Sequence, residues 1–202
     1  MTSCLSCSPS ELAARLQAGE AAILPTDTLP ALASRPEAAN LLWELKERPR
    51  HKPVILMAAR GDTLLQCLGR AIEPAWQHMA DRYWPGALTL VLPAQGTWLE
   101  QLNPGGTTLG LRLPACQAAL ELLALSGPLA TTSANRSGEP ACLDHREAAE
   151  RFPHVGQLGP VPWPAPSGQG STVIEWMPKG GWKLLRAGAV MPPELSIHGG
   201  SV

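Results

Sequence analysis

Short apolar runs alternate along the chain with segments whose apolar residues recur at helical spacing. Runs of about four to eight apolar residues that are bounded by turn-forming residues are typical of buried strands. On this basis the sequence predicts seven strands, over residues 21–24, 54–57, 87–92, 108–113, 129–132, 171–176 and 182–186.

Capping residues and prolines between these runs mark where helices begin. The stretch Ser8–Glu11 has the form of a capping box with proline at the first helical position, which predicts a helix over 9–18. Pro36 begins a second helix, and Pro49 forbids its continuation. Further helices are predicted to begin at Asp62, Pro74, Pro114 and Asp144.

Strands with helices between them predict an α/β fold, a twisted mixed sheet of about seven strands packed with helices. The 202 residues are enough for one sizeable core, so we expect a single domain. A proline- and glycine-rich stretch at 153–170 is followed by further strands, which favours a long surface loop or lid over a domain linker.

Composition excludes several classes of protein. Hydrophobic residues make up 45% of the chain and charged residues 16%, which is typical of a globular fold and not of a disordered chain. The longest apolar stretches are far shorter than the roughly 20 residues of a membrane-spanning helix, so no membrane span is expected. The amino terminus lacks the basic start and apolar centre of a secretory signal, which makes the cytoplasm the expected location.

The five cysteines are an odd number and are scattered, so we expect reduced thiols. Cys4 and Cys7 have the spacing of half a zinc site, but no second pair or histidine cluster completes it. We expect both to lie in a frayed, unstructured terminus, and we predict no metal-ligating residues.

One dense basic cluster occurs in a chain whose formal net charge is only −1. The cations Lys46, Arg48, Arg50 and Lys52 fall within it and combine charge with directed donors, as phosphate binding requires. A helix carboxyl end also favours cations, but that explains only one or two of them. The cluster therefore favours nucleotide phosphate binding, with RNA backbone binding as the rival interpretation.

Small polar residues follow several predicted strands, where open α/β sheets place their ligand sites. The chain has no P-loop, no serine-hydrolase elbow and no grouped histidines, so any catalysis would depend on positioning and charge, with no catalytic side chain predicted. The polar residues that could orient a small ligand are Thr26, Thr28, Thr131, Thr132, Ser133, Asn135 and Ser171.

Seven short motifs occur in the order typical of the YrdC/Sua5 family, which the chain resembles over residues 10–190. They are Pro25-Thr-Asp-Thr28, Lys46-x-Arg-Pro49 with Lys52-Pro53, Pro85-Gly-Ala-Leu-Thr-Leu90, Leu111-Arg-Leu-Pro114, Thr132-Ser-Ala-Asn-Arg-Ser-Gly138, Ser171-Thr-Val173 and Leu185-Arg186. Each motif is weak alone, but seven in order are specific. The resemblance implies the YrdC/RibB-like fold in its short form, as one domain over 1–202.

The family makes L-threonylcarbamoyladenylate and pyrophosphate from L-threonine, bicarbonate and ATP with Mg²⁺, for the t6A37 modification of tRNA. The resemblance therefore implies a nucleotidyltransferase whose downstream partners are the t6A transferase proteins and tRNA. By resemblance, the nucleotide would be held by Lys46, Arg48, Lys52, Thr108, Ser133, Asn135 and Arg186. Threonine would be held by Thr26, Arg112, Thr131 and Ser171.

Arg112 is the sharpest of these assignments. An arginine among strand leucines is costly to bury without a partner, and a substrate carboxylate would be a bidentate one. The alternative is a structural salt bridge to an internal Asp or Glu, and we favour the substrate.

One segment departs from the family pattern. Leu29–Ala33 stands where members usually carry an aromatic residue and Gly-Leu-Gly, and Met57 stands where some carry a histidine. Such changes alter a pocket wall and its backbone freedom, so a paralogue with an altered carbamoylation substrate is one alternative.

A non-catalytic module that binds double-stranded RNA is a second alternative, although aromatic residues do not interleave with the cations. A carbamoyl-transfer enzyme related to hydrogenase maturation is a third, but its zinc-finger and acylphosphatase parts are absent.

Overall fold

The structure is a computed structural model that describes residues 6–198. Its strands are β1 (Ser6–Cys7), β2 (Ala22–Leu24), β3 (Ala31–Ser34), β4 (Ile55–Met57), β5 (Leu88–Pro93), β6 (Thr108–Arg112), β7 (Leu129–Ser133), β8 (Gly156–Leu158), β9 (Thr172–Trp176) and β10 (Trp182–Arg186). Its α-helices are α1 (Pro9–Gln17), α2 (Asn40–Lys46), α3 (Gly61–Gln66), α4 (Pro74–Tyr83), α5 (Thr97–Leu102), α6 (Gln117–Ser126) and α7 (His145–Arg151). Short 3₁₀ helices cover Pro36–Ala38 and Pro193–His198.

All of these strands form a single mixed sheet in the order β1-β8-β2-β3-β7-β4-β6-β5-β9-β10. Four neighbouring pairs are parallel (β1 with β8, β8 with β2, β4 with β6, β5 with β9), and the other pairs are antiparallel. At the centre of the sheet, β7 is antiparallel to both of its neighbours, β3 and β4. The α/β class and the mixed, helix-packed sheet predicted from the sequence are therefore confirmed.

The sheet has ten strands in the described part of the chain, more than the seven predicted. Each predicted strand is present with its ends shifted by at most two residues, and the additional strands are β1, β3 and β8. Strand β3 reads Ala-Leu-Ala-Ser and lacks the β-branched and aromatic residues that favour strands, so its pairing with β2 and β7 decides its conformation. Helix α5 was also not predicted.

The expectation of a frayed amino terminus is wrong for Cys7, which is buried in β1 and paired with Leu158 of β8. Cys4 lies outside the described residues. The stretch 153–170, expected to be a surface loop or lid, contains β8 inside the sheet, so only the short turn at 153–155 and the part after Leu158 are loop. The backbone hydrogen bonds of β8 to both neighbours, rather than its sequence, place it there.

Local signals fix the ends of the helices. Ser8 caps α1 as one half of a capping box with Glu11, as predicted. Pro36 begins a 3₁₀ turn that leads into α2, and α2 ends with Glu47 in the left-handed conformation before Pro49. The basic cluster therefore starts on the last residue of α2.

Apolar side chains cover both faces of the sheet. One core contains the buried residues of α2, α3 and α4, and the other contains those of α1 and α6. Successive strand residues alternate between the two cores: Ile23 of β2 and Leu32 of β3 join the first, while Ala22 and Ala31 join the second. No helix within residues 6–198 is long and apolar enough to cross a membrane.

Candidate functional site

A cavity of about 400 Å³ lies against the central strands and gathers most of the predicted site residues. Its wall contains Thr26, Arg48, Arg112, Thr131, Ser133, Asn135, Ser171 and Arg186. The additional polar residues Thr28, Thr89, Thr132 and Glu139 also line it.

The floor of the cavity is one face of the sheet. Ser133 pairs with Ala31, Thr131 pairs with Ile55, and Met57 pairs with Arg112, so these residues form lateral rows. Thr131 and Ser133 are two apart on β7 and share a face of the sheet, and Thr132 between them also lines the cavity near the end of the strand. The polar residues that follow the predicted strands favour a site beyond the strand ends, but much of the cavity is lined by residues on the strands themselves.

A loop after β2 covers one side of this floor. The hydroxyl of Thr26 accepts hydrogen bonds from the backbone amides of Thr28 (3.1 Å) and Leu29 (3.2 Å) and donates to the Leu29 carbonyl (2.7 Å). Threonine in this arrangement stabilises a tight turn. The turn directs Asp27 and Thr28 towards strand β6.

Arg112, the last residue of β6, is only 4% exposed and receives its partners from that turn. Nη2 donates to Asp27 at 2.7 Å, Nη1 donates to Thr28 Oγ1 at 2.7 Å, and Nε donates to the carbonyl of Gly86 at 3.2 Å. Burial lowers the pKa of Arg112, and the Asp27 charge acts in the opposite direction.

The structure thus provides Arg112 with an internal carboxylate, which corrects the preference for a substrate carboxylate as its counterion. Asp27 belongs to the Pro25–Thr28 motif, but the sequence predicts no role for it, because sequence alone does not show that β6 passes beneath this loop. Asp27 also accepts a hydrogen bond from the backbone amide of Ala115 at 3.0 Å, so it joins the start of α6 to the site.

Lys46 is 1% exposed, and its ammonium donates to the carbonyls of Ser133 (2.5 Å) and Asn135 and to the Asn135 side-chain oxygen (3.2 Å). These three oxygens use its three donors. Burial, with a contribution from the Arg48 charge, lowers the pKa of Lys46 to about 8. Lys46 is not among the lining residues and therefore supports the wall from behind, in contrast to the predicted direct phosphate contact.

The loop after β7 forms the wall that Lys46 supports. Ser133 donates to the side-chain oxygen of Asn135 at 2.5 Å, and the Asn135 side-chain NH₂ donates to the carbonyls of Arg136 (2.9 Å) and Glu139 (2.7 Å). Ion pairs from Arg136 to Glu47 and from Arg151 to Glu139 attach the loop to α2 and α7. The positions of the Ser133 and Asn135 side chains are therefore determined before any ligand arrives.

Arg48 and Arg186 carry positive charge on the wall. Arg48 donates to the carbonyls of Lys52 (3.2 Å) and Pro53 (3.1 Å). Arg186 donates to the carbonyl (2.7 Å) and to the hydroxyl (3.2 Å) of Ser171. Neither arginine forms an ion pair with another described residue. Both are oriented by neutral oxygens and retain their charge for an anion.

Besides Lys46, two further predicted nucleotide contacts do not line the cavity. Lys52 is exposed, and its backbone carbonyl serves as an acceptor for Arg48 and Trp43. Thr108 begins β6, whereas Arg112 ends it, so the strand separates them by roughly 13 Å. Neither residue lines the cavity.

A second cavity, of about 430 Å³, adjoins the first along Thr26 and Pro30. The loop after β8 forms much of its wall, including Trp163, and Arg146 of α7 lines its other side. Among residues 6–198, no group of three or more His, Cys, Asp or Glu side chains is arranged to hold a metal ion.

Comparison with known proteins gives consistent matches. The Sua5/YciO/YrdC family model, described as telomere recombination, matches residues 14–188. The threonylcarbamoyl-AMP synthase of Pyrococcus abyssi (strain GE5 / Orsay) is 34% identical over 141 residues, which cover 68% of this chain and 41% of that protein. The threonylcarbamoyl-AMP synthase of Mus musculus is 31% identical over 195 residues, which cover 91% of this chain and 68% of that protein.

The crystal structure of P. abyssi Sua5 complexed with L-threonine matches with a TM-score of 0.81 at 31% identity. The match covers 89% of this chain and 54% of the archaeal chain. The chain thus spans well under two thirds of the length of the archaeal relatives.

Replacing Asp27 by Asn should destabilise the fold by about 3–5 kcal/mol, because it leaves the buried Arg112 cation without a counterion. Urea unfolding measures this loss. The control is Asp62→Asn, which breaks the ion pair of Asp62 with Arg60. The side chains of Asp62 and Arg60 are 53% and 73% exposed, so the loss of stability should be much smaller than for Asp27→Asn. Equal losses in the two variants would contradict the structural role of Asp27.

The Lys46 ammonium should titrate with a midpoint near pH 8. Between that value and the ordinary 10.5, the unfolded chain retains a proton that the folded chain has released, so this group makes the free energy of unfolding increase with pH. Carbon-13 NMR of the four lysine Cε atoms measures the midpoint, with Lys46→Gln assigning the signal. A midpoint near 10.5 would contradict the burial effect.

Proposed function

The chain belongs to the Sua5/YciO/YrdC family, as its motif order implied, and from this premise we propose that it is an L-threonylcarbamoyladenylate synthase. It would form threonylcarbamoyl-AMP and pyrophosphate from L-threonine, bicarbonate and ATP, which makes it a nucleotidyltransferase. One observation carries the proposal: a single cavity combines two arginines, neither in an ion pair with another residue of 6–198, with a floor of small hydroxyl side chains. The names of the relatives support the same reaction.

The triphosphate is assigned to the side of the cavity that carries Arg48 and Arg186. Guanidinium groups bind phosphate oxygens through directed, charge-assisted hydrogen bonds. Ser133 and Asn135 lie on the same wall and supply neutral polar groups. The Lys46 ammonium adds positive potential from behind this wall, although its own hydrogen bonds go to the protein.

The substrate L-threonine is assigned to the part of the cavity floor that carries Thr26, Thr131 and Ser171. These side chains are almost completely buried. The hydroxyl groups of Thr131 and Ser171 can orient a small polar ligand, whereas the hydroxyl of Thr26 holds the turn after β2 and shapes the floor. Arg112 also lines the cavity. Three of its five guanidinium N–H groups donate to Gly86, Thr28 and Asp27, so the other two can donate to the substrate. The solved archaeal relative with bound L-threonine supports this choice of substrate.

The proposed reaction requires alignment more than proton transfer. Threonine and bicarbonate give a carbamate with loss of water, and a carbamate oxygen then forms a bond to the α-phosphorus of ATP. The bond from that phosphorus to the bridging oxygen breaks, and its electron pair leaves with pyrophosphate. The site needs only to hold the reactants in line and to stabilise their negative charge. For this reason no general acid or base is proposed.

Mg²⁺ would enter with the triphosphate and help to neutralise its charge. It would be held mainly by phosphate oxygens and water, as is usual for this ion, because the lining carboxylate, Glu139, already pairs with Arg151. The product would then pass to the t6A transferase proteins and tRNA.

The RNA-binding alternative has less support from the position of the basic cluster. Lys46 is buried and Arg48 faces the cavity, so the exposed part is reduced to Arg50, His51 and Lys52. A duplex requires cations spread along its backbone. We therefore retain RNA binding only as an outcome of the test below.

Purified protein with ATP, Mg²⁺ and bicarbonate should release pyrophosphate when L-threonine is added, and much less with L-serine or without an amino acid. A coupled pyrophosphate assay measures the rate. Release that depends on both threonine and bicarbonate is the expected result. Binding of ATP without any release would contradict the synthase proposal, and salt-sensitive RNA binding in its place would favour the alternative.

Arg48→Ala should raise the KM for ATP by about tenfold or more, because it removes a charged hydrogen-bond donor from the cavity wall. The KM for threonine should change much less. Arg50→Ala is the matched control, since Arg50 is exposed, lies 4.0 Å from Glu44 and does not line the cavity. Equal effects of the two substitutions would contradict the assignment of Arg48.

A further inference from the structure

Glu139 is the one acidic residue among the described residues that line the cavity. It lies on the loop after β7, as does Asn135, and Arg48 and Arg186 also line the same cavity. A carboxylate here would oppose a polyphosphate, because like charges repel strongly where water is partly excluded. A cavity for an anion therefore requires that this charge be neutralised.

Arg151 supplies that neutralisation. Its guanidinium forms an ion pair with the Glu139 carboxylate from the last turn of α7, and Arg151 itself does not line the cavity. The side chains of Arg151 and Glu139 are 36% and 38% exposed, so the pair is not a deeply buried one on which folding would depend.

The backbone of Glu139 has a separate role from its charge. Its carbonyl accepts a hydrogen bond from the Asn135 side-chain NH₂ at 2.7 Å, which orients Asn135 in the cavity wall. A carbonyl contact survives a change of side chain. Replacing Glu139 by Gln therefore removes the negative charge while keeping the contact that orients Asn135.

We propose that Arg151 is a positioning residue for nucleotide binding, which acts by holding and neutralising the Glu139 carboxylate at the cavity wall. This inference rests on the proposed function, because it takes the triphosphate of ATP as the anion. Arg151 contributes through Glu139 and makes no contact with the nucleotide. The pair leaves this part of the wall without net charge, so the charges of Arg48 and Arg186 dominate it.

A purely structural role for Arg151 makes a different prediction. If Arg151 only attached α7 to the loop, its loss would weaken binding whether or not residue 139 is charged. If it neutralises Glu139, removing the carboxylate as well should restore binding. A double-mutant cycle separates these two possibilities.

The experiment measures Kd by calorimetry for ATP and for inorganic tripolyphosphate, with the wild type, Arg151→Ala, Glu139→Gln and the double variant. Arg151→Ala should bind both ligands about three- to tenfold more weakly, because one partly exposed carboxylate is left unpaired. Glu139→Gln should bind more tightly than the wild type. The double variant should return to within about twofold of the wild type, and the differences should shrink as salt is added.

Arg146→Ala is the matched control. Arg146 belongs to the same helix and carries the same charge, but it lines the second cavity and not the first. Its loss should change Kd by about twofold or less, because Arg146 is exposed, so salt screens its charge, and it has no ion pair with Glu139. A change as large as that of Arg151→Ala would overturn the specific pairing with Glu139.

Two further results would overturn the inference: unchanged binding in Arg151→Ala, or a double variant as weak as Arg151→Ala alone. Failure of the wild type to bind either ligand would overturn this inference and the proposed function together. The expected pattern of Kd values without threonine-dependent pyrophosphate release would instead remove the synthase proposal alone. The role of Arg151 in anion binding would then stand.

Discussion

The buried ion pair between Arg112 and Asp27 is the contact on which the arrangement of the site depends. A cation so deeply buried is tolerated only with a counterion, so the loop after β2 must lie against the end of β6. Through the same pair, Gly86 before β5 and Ala115 before α6 are attached to that loop by hydrogen bonds. The hydroxyl of Thr28 completes the set. The loop after β2, the segment before β5 and the connection from β6 to α6 are thereby fixed around one ion pair, and the cavity lies beside it, lined by Thr26, Thr28 and Arg112.

Positive charge is divided between support and ligand binding. Asp27 compensates Arg112, whereas Lys46, Arg48 and Arg186 are held by neutral oxygens without an acidic partner among the described residues. Carbonyl and hydroxyl dipoles orient a cation without cancelling its charge. The wall is therefore electropositive and geometrically defined before a ligand enters, which is the condition under which electrostatic stabilisation is most effective.

The sequence predicts the parts of this molecule that local chemistry determines. The cap at Ser8, the end of α2 before Pro49 and the long apolar runs are properties of adjacent residues. Strand β3 was not predicted, because its small residues have no strand preference and only its two neighbours make it a strand. The motifs identified most lining residues, but the burial of Lys46 and the partner of Arg112 depend on contacts between distant parts of the chain, the latter 85 residues apart.

The position of the cavity on the sheet face has a consequence for how its specificity can evolve. Loops can lengthen or shorten without moving a floor whose side chains are set by strand register. Substrate range must then change by substitution at alternate strand positions and at the loop beside them. The segment Leu29–Ala33, for which the sequence predicts a departure from the family pattern, contributes Leu29, Pro30 and Ala31 to the cavity lining. A substitution in this segment would alter the wall of the pocket while β3 keeps its place in the sheet, because its pairing with β2 and β7 uses backbone hydrogen bonds.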